Sequence, residues 1–125
     1  MIAVEVENRS GVEVEAAAAV ALVRRVLSEE GIEDGELGLH FVDAEEMQAL
    51  KREHLGVDEP TDVLSFPIDA REKIDPGLPR QLGDAVLCPQ VTGERWRGPL
   101  VHGLLHLLGY DHGAEMDRRE ARWSE

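Results

Sequence analysis

The stretch from Pro99 to Leu108, PLVHGLLHLL, constrains the fold of this chain more than any other. In an α-helix each residue turns by about 100°, so His102 and His106 lie about 40° apart on one side. The opposite arc holds the apolar side chains of Leu100, Val101, Leu104, Leu105, Leu107 and Leu108. Such an arc has to be buried against other elements. The sequence therefore predicts a helix on the core whose histidine pair points away from the core.

The rest of the chain alternates between strand and helix patterns. Apolar residues at every second position predict strands, and apolar residues three and four apart predict helices. Asp43 marks the start of one predicted helix, and Gly31 marks the end of another. The predicted strands cover about residues 2–7, 36–42, 61–67 and 82–89. The predicted helices cover about residues 15–30, 44–54, 99–108 and 115–123. This order predicts an α+β (mixed α/β) fold, with a single small sheet of about four strands and helices packed on it, as one domain over residues 1–125.

Charge and hydropathy limit the classes of function. The 13 basic and 26 acidic residues give a net charge of −13, which disfavours loose, charge-driven binding to nucleic acid or anionic lipid. No apolar run approaches the roughly 18 residues of a membrane span, and IAVEVEN near the N-terminus predicts a strand, not a signal peptide. The single cysteine excludes an internal disulfide. We expect a cytoplasmic protein without a membrane partner, in which contact with nucleic acid depends on local basic groups or on a metal.

The histidines of HGLLHLLGYDH have the spacing of a metal site. His102 and His106 lie on adjacent turns, within reach of one ion. Gly109 favours the end of the helix, after which the chain can turn back so that His112 becomes a third ligand. Three histidines leave one position open for water, as in catalytic zinc sites, although Ni²⁺ also accepts imidazole ligands. One Zn²⁺ per chain is predicted, with Asp111 as a candidate catalytic carboxylate or as a support for a ligand histidine.

The same spacing occurs in metzincin proteases as H-E-x-x-H-x-x-G-x-x-H. In those enzymes the glutamate after the first histidine is the general base, and here that position is Gly103. This chain therefore has the three histidines of the motif but lacks its general base. A hydrolase acting on peptides therefore stays as a weaker alternative.

Two further motifs accompany VHGLLHLLGYDH, namely EPTDVLSFP at residues 59–67 and LGDAVLC at residues 82–88. Together the three resemble the bacterial YbeY family, the endoribonucleases also called ribosomal RNA maturation factors, from about Ile2 to the C-terminus. The resemblance implies a mixed α/β domain in which three histidines, mapping onto His102, His106 and His112, hold one zinc ion. It also implies cleavage of single-stranded RNA in the processing of the small-subunit ribosomal RNA end and in ribosome quality control. The implied partners are ribosomal RNA, the ribosome and assembly GTPases.

The chain departs from the family pattern before the second motif. Family members usually carry an arginine five residues before the PTDVLSFP proline, where this chain has Leu55. We expect Arg52 or Lys51, one turn earlier, to replace it in binding the substrate. Ser65 is a further candidate substrate contact, and Asp62 is a second candidate catalytic residue. The missing arginine and the acidic charge also keep open a second hypothesis, a non-catalytic ribosome assembly factor with a structural metal.

Overall fold

The computed structural model describes residues 1–55, 62–111 and 113–123. His112, the side chain of Leu55 and the first three residues of EPTDVLSFP lie outside these described residues. The elements in chain order are β1 (Ile2–Asn8), α1 (Ala16–Glu29), β2 (Gly35–Phe41), α2 (Ala44–Leu55), β3 (Val63–Pro67), β4 (Gln81–Leu87), α3 (Pro89–Thr92), α4 (Arg97–Leu107) and α5 (Ala114–Ala121). The predicted α+β fold is confirmed, and the predicted elements occur in the predicted order, with the short helix α3 in addition.

The sheet has four strands in the order β1-β2-β4-β3. Strands β1, β2 and β4 are parallel, whereas β3 pairs with β4 in the antiparallel sense. Parallel neighbours cannot be joined by a tight turn, so α1 connects β1 to β2, and α2 and β3 lie between β2 and β4 in the chain. The polar segment 68–80 joins β3 to β4. The predicted single small sheet is therefore mixed, with β1 and β3 at its edges.

Alternation along the strands gives the sheet two different faces. Leu37 and Leu39 of β2 are 3% and 0% exposed, and they belong to the apolar cluster formed with α1 and α4. On the other face, Met47 of α2 forms a smaller cluster with Leu64 and Val86. Helices α2 and α4 therefore pack on opposite faces of the sheet.

Helix α4 lies in the larger cluster and approaches β3 closely. Its six predicted apolar residues are each 2% exposed or less. At Gly103, a Cβ atom would lie only 2.8 Å from Cγ2 of Val63. Across the same contact, the Ser65 hydroxyl donates a hydrogen bond to the Gly103 carbonyl at 2.8 Å. The glycine that removes the protease glutamate from the motif is thus what lets α4 lie on β3.

The end of α4 follows the sequence prediction. Gly109 has a φ of +96°, in the left-handed region that glycine accepts. Its N–H donates to the His106 carbonyl at 3.0 Å, and the Tyr110 N–H donates to the Leu105 carbonyl at 3.1 Å. These are the two hydrogen bonds of a Schellman motif. The motif turns Tyr110 back toward the side of the helix that carries the histidines.

The helices differ from the sequence prediction at two places. Helix α4 begins at Arg97 instead of Pro99, because proline is tolerated within the first turn of a helix. The short helix α3 was not predicted, since four residues cannot display a helical repeat. In the described part of the chain, no helix is both long enough and apolar enough to cross a membrane.

We predict that Gly103→Ala lowers the free energy of unfolding by about 1–2 kcal/mol, because the added methyl group is forced against Val63. Gly98→Ala is the matched control on the same helix. Its Cβ would meet nothing within 4 Å, and alanine favours helix, so stability should hold or rise. Urea unfolding followed by circular dichroism measures both variants. A Gly103→Ala protein as stable as the wild type would contradict the close contact between α4 and β3.

Candidate metal centre and adjoining cleft

Two ring nitrogens converge on the open side of α4. Nε2 of His102 and Nε2 of His106 lie 3.1 Å apart, and the two ring planes meet at 81°. Both residues are half-buried, and the His102 side chain keeps 29% of its surface exposed. The buried apolar arc of α4 holds the helix in place beneath them. The predicted pair therefore faces a common point that remains accessible from solvent.

The second nitrogen of each ring is held by the protein. Nδ1 of His106 donates to the backbone carbonyl of Tyr110 at 2.8 Å, and Nδ1 of His102 binds the carboxylate of Glu120 on α5. Because a carbonyl and an ionised carboxylate only accept hydrogen bonds, each Nδ1 carries the proton. Each neutral ring then presents an Nε2 lone pair. Metal-ligating histidines in proteins are held in this way.

The opposed lone pairs fit a shared cation. Two neutral imidazoles in this arrangement repel each other, and a metal ion bound by both nitrogens, or a shared proton, removes the repulsion. Imidazole nitrogen suits zinc and nickel. Within residues 1–55, 62–111 and 113–123, no three metal-ligating side chains come together. The chain therefore offers two candidate ligands and the groups that orient them, while the predicted third ligand, His112, lies outside the described residues.

Glu30, directly after α1, is a buried carboxylate that connects the segments around the histidines. Its side chain is 3% exposed, and it accepts hydrogen bonds from the Tyr110 hydroxyl at 2.8 Å, Arg71 at 3.0 Å and Arg119 at 2.9 Å. Burial raises the pKa of the Tyr110 phenol, and the hydrogen bond to Glu30 acts in the same direction. Arg119 directly precedes Glu120. The Glu30 network therefore holds both groups that orient the histidine rings.

An open cleft of about 670 Å³ adjoins the histidine pair. Its lining includes His102, Glu120, Asp62, Arg95 and Arg97. The cleft thus combines a candidate metal ligand, two guanidinium groups and three carboxylates, which are Asp62 at the start of β3, Glu94 and the Glu120 that binds His102. Guanidinium groups bind phosphate, and a carboxylate can accept a proton. Chemically, the cleft is equipped to hold a phosphodiester beside the histidines.

The other residues predicted from the sequence fall in different places. Asp62 lines the cleft. Asp111 is exposed at the end of the turn that follows α4. Ser65 lies in the contact between β3 and α4. Arg52 is exposed on α2, on the opposite face of the sheet, and is not among the described residues that line the cleft. The fold places Asp62 in the same cleft as His102, and it places Ser65 where it supports α4.

Sequence reasoning missed Glu120 and Glu30. Glu120 is 18 residues from His102 and lies on a helix with its own polar pattern, so no local spacing links the two. Glu30 directly follows α1, where a polar residue is ordinary. Its burial results from tertiary packing, which the local sequence pattern does not show. One general signal was available, since ligand histidines usually donate to a carboxylate and the acidic tail supplies several. It does not say which carboxylate is used.

Comparison with known proteins identifies relatives of this chain. The family profile described as Endoribonuclease YbeY matches residues 4–125. A Salinispora tropica protein named Endoribonuclease YbeY is 37% identical over 140 residues, covering 95% of this chain and 88% of the relative. A Micrococcus luteus protein of the same name is 39% identical over 133 residues, covering 95% and 85%. Both alignments are longer than the 125-residue chain, so both relatives carry insertions.

Among solved structures, the chain is similar to the solution structure of TM1509 from Thermotoga maritima. The TM-score is 0.57 at 24% sequence identity, and the similarity covers 98% of this chain and 86% of that one. At this level of identity the likeness supports the fold alone. It agrees with the mixed four-stranded sheet described above.

We predict that Glu30→Gln lowers the free energy of unfolding by about 2–3 kcal/mol, because a buried carboxylate loses charge-assisted hydrogen bonds from two arginines. The neighbouring Glu29 offers a matched control. It pairs with Arg122 where both side chains are at least half exposed, so Glu29→Gln should change stability by less than about 1 kcal/mol. Urea and thermal unfolding compare the two. Equal effects of both substitutions would count against a structural role for the Glu30 network.

Proposed function

We propose that this chain, which belongs to the YbeY family of endoribonucleases, cleaves single-stranded RNA at a zinc ion held by His102, His106 and His112. The observation that supports this most directly is the convergent pair of Nε2 atoms, with each ring held through Nδ1 by the protein. Ni²⁺ is the alternative metal, since imidazole ligands accept either ion. In this proposal residues 1–125 act as one catalytic domain.

The substrate we propose is ribosomal RNA. The family resemblance supports a role in processing the end of small-subunit ribosomal RNA and in ribosome quality control. The ribosome and an assembly GTPase are the corresponding partners, and the cytoplasm is the corresponding compartment. The relatives named Endoribonuclease YbeY support the activity on RNA, and the resemblance supports these narrower assignments.

Hydrolysis of a phosphodiester needs a polarised phosphoryl group and a base for the attacking hydroxyl or water. When bound, zinc polarises a phosphoryl oxygen and lowers the pKa of a water molecule. Glu120 and the Tyr110 carbonyl keep the two Nε2 atoms directed at the site. We assign proton acceptance to Asp62, which lines the cleft, with Asp111 as the alternative. As the P–O bond breaks, the same carboxylate returns the proton to the leaving ribose oxygen.

The two remaining candidates take supporting roles in this proposal. Ser65 donates its hydroxyl hydrogen to Gly103 of α4, so it holds the helix that carries the ligand histidines, with its lone pairs left for any contact with substrate. Arg52, on the opposite face of the sheet, is assigned to RNA that extends beyond the cleft. Neither residue is assigned to the bond that breaks.

We expect metal-loaded protein to cut a labelled single-stranded RNA, and metal-stripped protein and His106→Ala to leave it intact. His106→Ala should also lose its bound metal, because a site with one ligand fewer binds zinc far more weakly. His40→Ala is the matched control, since His40 contacts Asp84 and Glu7 on the other face of the sheet. Gel analysis of the RNA and elemental analysis of the protein provide the two measurements.

Two outcomes would count against the proposal. A His106→Ala protein that keeps a full equivalent of metal would remove His106 from the site. Wild-type protein that holds one metal ion yet cuts no RNA would favour the alternative function, a ribosome assembly factor whose metal is structural.

We further predict that Glu120→Gln weakens zinc binding by about 10- to 100-fold, because the ring of His102 loses the carboxylate that fixes its orientation. Asp117→Asn is the control, since Asp117 is exposed on the same helix and the substitution removes the same charge. Competition with a chromogenic chelator measures the affinities, and circular dichroism shows whether α5 stays folded. Equal affinities of the two variants would exclude Glu120 as a support of the metal site.

A further inference from the structure

Apart from Arg52 on α2, the arginines of this chain divide into those that stabilise the fold and those that line the hollows beside His102. Seven of them bind carboxylates or backbone carbonyls, namely Arg9, Arg24, Arg71, Arg80, Arg118, Arg119 and Arg122. Arg25 and Arg95 pair with no carboxylate in the described part of the chain. The nearest described carboxylate partner of Arg97, Glu15, is 4.0 Å away. These three exposed arginines are therefore available to a ligand.

The three arginines line two neighbouring hollows, the first of which also contains His102. The cleft beside His102 is lined by Arg95, Arg97 and Trp123. A second hollow, of about 220 Å³, is lined by Arg97, Trp123 and Arg25. We call the surface formed by Arg95, Arg97, Trp123 and Arg25 the arginine groove. Because the two hollows share Arg97 and Trp123, a strand that leaves His102 can pass from the first hollow to the second along these side chains.

Two of the arginines lie over indole rings. Cζ of Arg97 lies 4.4 Å from the ring centroid of Trp96, and Cζ of Arg25 lies 5.4 Å from that of Trp123. Trp96 is 7% exposed and donates its Nε1–H to Glu15 at 2.9 Å. Its indole ring is therefore a fixed support for the Arg97 guanidinium. The Arg97 side chain is 56% exposed, which leaves its outer face open. A guanidinium held in this way can stack on an unpaired base while donating to phosphate.

The acidic excess of the chain disappears along this groove. The charged residues that line the two hollows are Arg25, Arg95, Arg97, Arg122, Glu29, Asp62, Glu94 and Glu120. Basic and acidic groups are thus present in equal numbers, against a net charge of −13 for the chain. Glu29 and Glu120 are also already bound to Arg122 and His102. Phosphate groups therefore meet less repulsion here than on an average part of this surface.

We propose that the arginine groove binds the single-stranded RNA segment next to the phosphate that is cut. Unpaired bases stack on the guanidinium planes of Arg97 and Arg25, which donate to neighbouring phosphates at the same time, and Arg95 binds a further phosphate. This inference rests on the proposed endoribonuclease function and deepens it. The stacking faces select single strands, because the bases of a duplex are already stacked on one another. The groove also supplies positively charged side chains, whereas the family arginine is replaced here by Leu55.

The test measures RNA binding apart from cleavage. Fluorescence anisotropy follows a short labelled single-stranded RNA with the full-length, metal-stripped protein. Arg97→Gln and Arg25→Gln each weaken binding about fivefold or more through loss of a stack. A plot of log affinity against log salt concentration has a negative slope, and its magnitude decreases by about 0.7 for each arginine removed. Arg97→Lys keeps the slope and loses affinity, since lysine retains the charge but not the planar stack.

Arg118→Gln is the matched control, because Arg118 is exposed and pairs with Glu115 on α5, so the variant loses the same charge away from the groove. It keeps wild-type affinity and slope. If both Arg97→Gln and Arg25→Gln kept the wild-type affinity and slope, the arginine groove would not be the RNA-binding surface. That result would not contradict metal-dependent cleavage. Equal competition by a duplex of the same sequence would overturn the groove's selection of single strands. Wild-type protein that neither binds nor cuts RNA would overturn the groove and the proposed function together.

Discussion

The geometry of the histidine site depends on the hydrogen bonds that the buried carboxylate of Glu30 accepts. This carboxylate joins Arg71 of the segment between β3 and β4, Tyr110 of the turn after α4, and Arg119 of α5. Helix α5 has eight residues, of which only Met116 is buried, so apolar packing alone does little to fix its position. Burying a carboxylate is unfavourable unless charged donors satisfy it. The network is therefore stable when all three segments are in place together, and this couples the supports of the two histidines.

A second constraint is the close contact between α4 and β3. Functional groups on rigid, buried elements keep their geometry better than groups on loops, and from Leu100 to Leu107 α4 is buried except at its two histidines. The contact requires glycine at position 103, where metzincin proteases place their catalytic glutamate. One histidine spacing can therefore serve different chemistries. Here the position after the first histidine serves packing, and the proton acceptor has to come from another element.

The sequence was sufficient for the elements whose patterns are local. Alternation in β2 and the glycine at position 109 correctly predicted a strand and a helix end, because side-chain period and left-handed φ are properties of a few neighbouring residues. The pairing of His102 with Glu120 was not predictable, since it depends on how α5 returns to α4. Likewise, helical periodicity does not tell which face of a sheet a helix covers. That is why the sequence could suggest Arg52 as a substrate contact in place of the missing arginine, but could not show that α2 lies on the face of the sheet opposite α4.

The acidity of the chain is consistent with an enzyme that acts on RNA, provided that binding is local. The face of the sheet opposite α4 exposes Glu5, Glu7 and Glu36, which repel a polyanion. Repulsion over most of the surface disfavours non-productive binding and leaves the arginine groove as the favoured approach to the histidines. In that groove the charges only balance, so in the proposed function affinity for RNA would come from stacking on guanidinium planes and from a metal ion bound by the histidine pair. Stacking is available only to unpaired bases. Selection of single-stranded RNA would then follow from the same arginine–tryptophan contacts that allow an acidic protein to bind RNA at all.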